Sequence, residues 1–156
     1  MTRRRVLVVE DGNEYIEAFR RLAPAAGRAE LLHATDAAAA LRLVAETTVD
    51  AVFLDVVFDR TPPGNLAGDL DSLTERFSGD RSRAVEHLAR NQGFYIADAL
   101  APLLPPGVPL VLACDLSSEP VRLDALRGKI PALDGVTEGT TVTEILARLL
   151  ARETER

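Results

Sequence analysis

The sequence predicts an α/β domain: a doubly wound, five-stranded parallel sheet with a mostly helical insert between the third strand and the third helix of the sheet. Three observations carry this reading. Apolar runs with no polar alternation recur at 5–9, 49–54 and 108–113, as strands buried on both faces require. Segments with helical periodicity separate them. The chain of 156 residues, 47% hydrophobic and 27% charged, has the size and composition of one globular domain, here residues 1–156.

Each element has its own signal. Residues 5–9 form the first strand, which ends at the turn Glu10-Asp11-Gly12-Asn13. Ile16, Phe19, Leu22 and Ala23 follow at helical spacing, and Gly27 is the expected stop. Residues 29–34 are a second strand. Thr35 and Asp36 cap a helix with Leu41 and Val44 on its inner face. Residues 49–54 are the third strand, ending at Asp55. This alternation implies right-handed crossovers and parallel pairing. The insert spans about 57–92. Leu66, Leu70, Leu73 and Phe77 suggest a short helix capped by Asp69. Asp80 or Ser82 caps a second, with Val85, Leu88 and Ala89 inward, running through Gly93 into 94–104. Its apolar stripe argues for an ordered insert, either a packed decoration or a docking surface. Residues 108–113 are the fourth strand. Ser117, Ser118, Glu119 and Pro120 open a helix that stops near Gly128. Residues 130–136 are a weaker fifth strand. Thr141 and Glu144 form a capping box ahead of Ile145, Leu146, Leu149 and Leu150.

Composition excludes several classes. A net charge of −6 argues against nucleic acid and anionic membrane as partners, and 4% aromatics without Trp give no base-stacking platform. No apolar run approaches the roughly 18 residues of a membrane span. The first apolar run, cut off by Glu10 and Asp11, is too short for a signal-peptide core. One cysteine, Cys114, rules out an internal disulfide and suits the reducing cytoplasm; it reads as a small buried apolar residue. His33 and His87 lack metal-ligand spacing, and neither a glycine-rich phosphate loop nor a nucleophile elbow is present.

The chemistry sits in the acids. Ligands of open parallel sheets bind at the carboxyl ends of the strands. Glu10 and Asp11 end the first strand, and Asp55 ends the third, its neighbour in a flavodoxin-like order. Convergent carboxylates suit Mg²⁺, which keeps several waters and takes one or two carboxylates from a protein. Such a metal would neutralise a phosphoryl group arriving at Asp55, and carboxylates are known nucleophiles for phosphoryl transfer.

At these residues the sequence resembles a known family. Val6-Leu7-Val8-Val9-Glu10-Asp11, with Ala51-Val52-Phe53-Leu54-Asp55, is similar to the receiver domain of bacterial two-component response regulators. The resemblance implies Glu10, Asp11 and Asp55 as the metal site and Asp55 as the phosphoacceptor. It places Gly93 at the opening of the third helix of the sheet. It covers nearly the whole chain except the insert. Two departures stand out. The family's Ser or Thr after the fourth strand is Cys114, whose thiol is a weak donor, with Asp115 next. The family's lysine after the fifth strand is replaced by Glu138. Lys129, the one lysine among seventeen arginines, precedes that strand and lies roughly 20 Å from the site.

The resemblance implies an atypical, stand-alone receiver-like domain, not an enzyme, acting in phosphorelay signal transduction by protein–protein interaction. A histidine kinase, a signalling scaffold or a second copy of the chain is the expected partner. Little chain follows the terminal helix, so no output domain is expected. Three states of the site are open. Phosphorylation persists, poorly coupled to a switch; an arginine of the insert (Arg60, Arg76, Arg81 or Arg83) replaces the lysine; or the site is vestigial and the domain a pseudo-receiver. The partner faces are 120–127 with 143–151, or the insert. The alternative is a Mg²⁺-dependent phosphoryl-transfer or phosphohydrolase enzyme built on Glu10, Asp11 and Asp55. Against it, Val57 stands where an aspartate-nucleophile hydrolase needs its second acid.

Overall fold

The structure is a computed structural model and describes residues 3–26 and 29–151, with side chains of 23–26 not described. Gly27, the expected stop of the first helix, and the inward Ala23 side chain lie outside what is described. Five strands, β1 (Arg4–Val9), β2 (Ala29–Ala34), β3 (Ala51–Leu54), β4 (Leu110–Leu112) and β5 (Leu133–Gly135), form one parallel sheet in the order β2-β1-β3-β4-β5. The strand residues Val6 to Val9 and Ala51 to Leu54 are fully buried. Successive side chains serve opposite faces. Leu7, Val9, Val52, Leu54, Leu110 and Leu112 share one core with α2 (Ala37–Glu46), α5 (Gln92–Leu100) and α6 (Pro120–Lys129). Val6, Val8, Phe53 and Val111 share the other with α1 (Glu14–Ala26) and α7 (Val142–Leu150). Helices on both faces explain why the strands carry no polar alternation.

The insert carries α3 (Leu70–Arg76) and α4 (Arg81–Arg90). Asp69 accepts from Ser72 N–H at 3.0 Å, and Asp80 accepts from Arg83 N–H at 3.1 Å, so Asp80 and not Ser82 is the cap. Leu73, Ala84 and Leu88 form a small core of their own beneath Leu66, Leu70, Phe77 and Tyr95. Two residues tie it to the sheet. Phe58 is fully buried and donates its N–H to Ala89 O at 2.8 Å. Gln92, also fully buried, accepts from Ala67 N–H at 2.6 Å and donates to Ala67 O and Leu88 O at 3.0 and 3.2 Å.

Two expectations need correction. The second insert helix does not continue through Gly93. Asn91 breaks it (φ −116°, ψ 15°), with its side chain donating to His87 O at 2.9 Å, and α5 starts afresh at Gln92 before a 3₁₀ turn, Ala101–Leu103. The helix α6 ends at Lys129, beside Gly128, where its stop was expected. Ser117 and Ser118 stay in the turn before it, where Ser117 N–H donates to Asp115 Oδ1 at 2.8 Å. The strand β5 is shorter than 130–136, because only Leu133 to Gly135 face a β4 partner.

Candidate functional site

The register brings the acids to one end of the sheet. Val9 pairs Leu54, Leu54 pairs Leu112, and Leu112 pairs Gly135. Glu10, Asp55 and Ala113 continue that row: their N–H groups donate to Ala34 O, Val9 O and Leu54 O at 3.1, 2.9 and 2.9 Å. Gly93 lets α5 press against this end. Its N–H donates to Val56 O at 3.0 Å, and a Cβ there would strike the Asp55 carbonyl and the Val56 Cα. Only glycine permits that approach.

Glu10 is 1% exposed, and both carboxylate oxygens accept from Tyr15 N–H at 3.1 Å. Burial pushes its pKa up to about 7, against those backbone bonds and with help from the charges of Asp55 and Glu14. Asp55 is half-buried, and its Oδ1 accepts from Val56 N–H at 2.8 Å. Its pKa is also raised, mainly by burial and then by Asp11. The Asp11 carboxylate accepts from Arg60 N–H at 2.7 Å. Tyr15, which sequence reasoning passed over, packs its ring 4.6 Å from that of Phe53. Its phenol is pushed up by burial and by the charges of Asp55 and Glu10. No periodicity or motif marks this tyrosine.

Of the four candidate arginines, Arg60 reaches this loop cluster. Its guanidinium grips Glu14, Nη2 to Oε1 at 2.6 Å and Nη1 to Oε2 at 3.4 Å. That pairing lowers the Glu14 pKa and raises that of Arg60. Arg76 and Arg81 belong to α3 and α4, and Arg83 lies 5.1 Å over the Phe77 ring. Lys129 pairs with Asp98 at 2.8 Å on the groove between α5 and α6, so it does not serve the acids.

Cys114 follows β4 and is half-buried, its thiol pushed up by burial. Its carbonyl accepts from Val136 N–H at 2.9 Å, which ties the ends of β4 and β5. Nearby, Arg122 lies 3.5 Å over the Phe94 ring. Asp115 is held low by Ser117 and by the backbone of Glu138. Asp115 and Glu138 therefore adjoin each other beyond the strand ends. The donors Glu10, Asp11 and Asp55 are hard oxygens, and the mutual repulsion that adds to burial in raising Glu10 and Asp55 is what a divalent cation would relieve. That chemistry fits Mg²⁺. Among the described residues no three carboxylate, imidazole or thiol groups stand arranged to hold a metal ion.

No family model matches the sequence, and no curated protein matches it. Solved structures do. The receiver domain of Francisella response regulator 1452 is 15% identical with a TM-score of 0.58, over 94% of this chain and 93% of that one. A CheY-like receiver domain protein from Methanospirillum hungatei is 14% identical with a TM-score of 0.58, over 95% and 91%. The fold is that of a response regulator receiver domain. A response regulator from Burkholderia pseudomallei, solved with a phosphorylated aspartic acid, a calcium ion and citrate, is 17% identical with a TM-score of 0.55, over 94% of this chain and 66% of that one. Asp55 stands at the end of the central strand of the sheet, and the helices α3 and α4 lie between that strand and α5.

Proposed function

We propose that this chain is a receiver-type signalling module of the cytoplasm. Asp55 accepts a phosphoryl group, and the output is a protein–protein contact. The observation that carries this reading is the juxtaposition at the sheet's carboxyl end: Asp55 beside Glu10 and Asp11, with α5 pressed against it through Gly93. Asp55 Oδ1 accepts from Val56 N–H, and Oδ2 is the attacking oxygen in this reading. Attack on the phosphorus of an acyl phosphate forms an Asp55 acyl phosphate, the bond from phosphorus to the donor oxygen breaks, and the donor leaves as a carboxylate. Asp11 and Asp55 would hold the Mg²⁺, with Glu10 behind them. When bound, the ion offsets the negative charge that builds between Asp55 and the incoming group. Glu10 and Tyr15 keep the floor of the site fixed and dry.

Coupling to a switch is weak in this reading. Cys114 is a poor hydrogen-bond donor where a hydroxyl would track the phosphoryl group, and Glu138 offers no cation. A histidine kinase, a scaffold or a second copy of the chain would dock on α6, β5 and α7, where Val121 is 83% exposed, or on the insert. The test is intact mass after incubation with Mg²⁺ and acetyl phosphate. Wild type should gain one phosphoryl group and Asp55→Asn none. An unmodified wild type that is folded and binds Mg²⁺ would leave a pseudo-receiver working by contact alone.

A further inference from the structure

We propose that Arg60 is the cation of this site, stored on Glu14 in the unmodified protein and passed to the phosphoryl group as Asp55 takes it up. The inference rests on the reading of Asp55 above and deepens it. Four observations lead there. The chain leaving β3 folds back over the loop between β1 and α1, because Phe58 is fully buried and the Arg60 N–H sits 2.7 Å from Asp11 Oδ2. The Arg60 side chain thus starts from the rim of the acidic pocket. Gly12 makes room for it: a Cβ there would run into the guanidinium. Finally, the guanidinium is held by one carboxylate, Glu14, and both partners are more than half exposed, at 58% and 65%.

An exposed, solvent-screened ion pair is weak and easily exchanged. A phosphorylated Asp55 presents three acceptor oxygens and about two negative charges, which a planar guanidinium meets two at a time. The exchange therefore favours the phosphoryl group. The other cations sit elsewhere: Lys129 beside Asp98 on the groove between α5 and α6, and Arg122 over the Phe94 ring. The insert would thus restore, from the β3 side, the positive charge that the end of β5 lacks.

The experiment compares wild type, Arg60→Ala, Arg60→Lys, Glu14→Gln and Asp55→Asn with Mg²⁺ and acetyl phosphate. Mass spectrometry follows the rate of phosphoryl gain, and thermal unfolding checks each fold. The proposal expects Arg60→Ala to gain phosphate about tenfold more slowly, the loss of one charge-assisted contact. Arg60→Lys should recover part of that rate, and Glu14→Gln should be faster than wild type, since it frees Arg60. If Glu14→Gln is instead as slow as Arg60→Ala, the ion pair is only a brace and the proposal fails. It fails equally if Arg60→Ala keeps the wild-type rate. A wild type that gains no phosphate overturns the Asp55 reading itself, and the Arg60 role with it.

Discussion

At the scale of single residues, burial does most of the chemistry. Glu10 is a carboxylate enclosed at the end of β1, and its pKa of about 7 follows from that enclosure. A folded-state pKa raised above the ordinary carboxylate value means that the folded protein favours the protonated form. The stability this contributes is complete below about pH 4.5, declines as pH rises and is gone above about 7. In metal-free buffer, the stability of wild type relative to Glu10→Gln should therefore fall across that window, by up to about 3 kcal/mol. Urea unfolding at several pH values measures it, and a flat difference would place the Glu10 charge in a solvated setting. The acids at 10, 11 and 55 were legible in the sequence because strand ends are readable from apolar runs. Gly93 was legible as a helix opening; its reason, contact with the Asp55 backbone, needed the fold. Tyr15 was not legible, since a half-buried aromatic in an amphipathic helix looks like any core residue.

At the scale of elements, the regular strands and capped helices followed from local rules, while the joints did not. Asp36, Asp69, Asp80 and Thr141 each accept an N–H three residues on, the pattern their sequence positions announced. The break at Asn91 was invisible because 81–100 keeps one helical pattern across it. What splits it is tertiary: α5 must lie on Asp55 while α4 covers the insert's own core. Gln92 is the joint between them, a fully buried amide whose three hydrogen bonds tie Ala67 and Leu88 to α5. Replacing it with Leu leaves those backbone groups short of partners, at a cost of about 1–3 kcal/mol. Hydrogen exchange should then quicken over residues 66–90, with β1 and β3 amides unchanged. Equal protection in both proteins would mean that the insert is held by Phe58 and its apolar core alone.

At the scale of the whole molecule, a sheet of order β2-β1-β3-β4-β5 makes the loops after β1 and β3 neighbours, and the site follows from that topology. The order was legible from strand–helix alternation plus the resemblance of the acidic motifs. The course of the insert was not, because it is fixed by Phe58 and by Arg60 folding back over the first loop. That fold-back gives the molecule its asymmetry: acids and Arg60 on the β1–β3 side, Cys114 and Glu138 on the other. The most direct test of this arrangement is a two-dimensional NMR titration of ¹⁵N-labelled protein, first with Mg²⁺ and then with beryllofluoride as a phosphoryl mimic. The account predicts shifts at Glu10, Asp11, Asp55 and Arg60 on both additions, with smaller changes at Cys114 and Glu138. Unmoved resonances at Asp55 and its neighbours after both additions would contradict it.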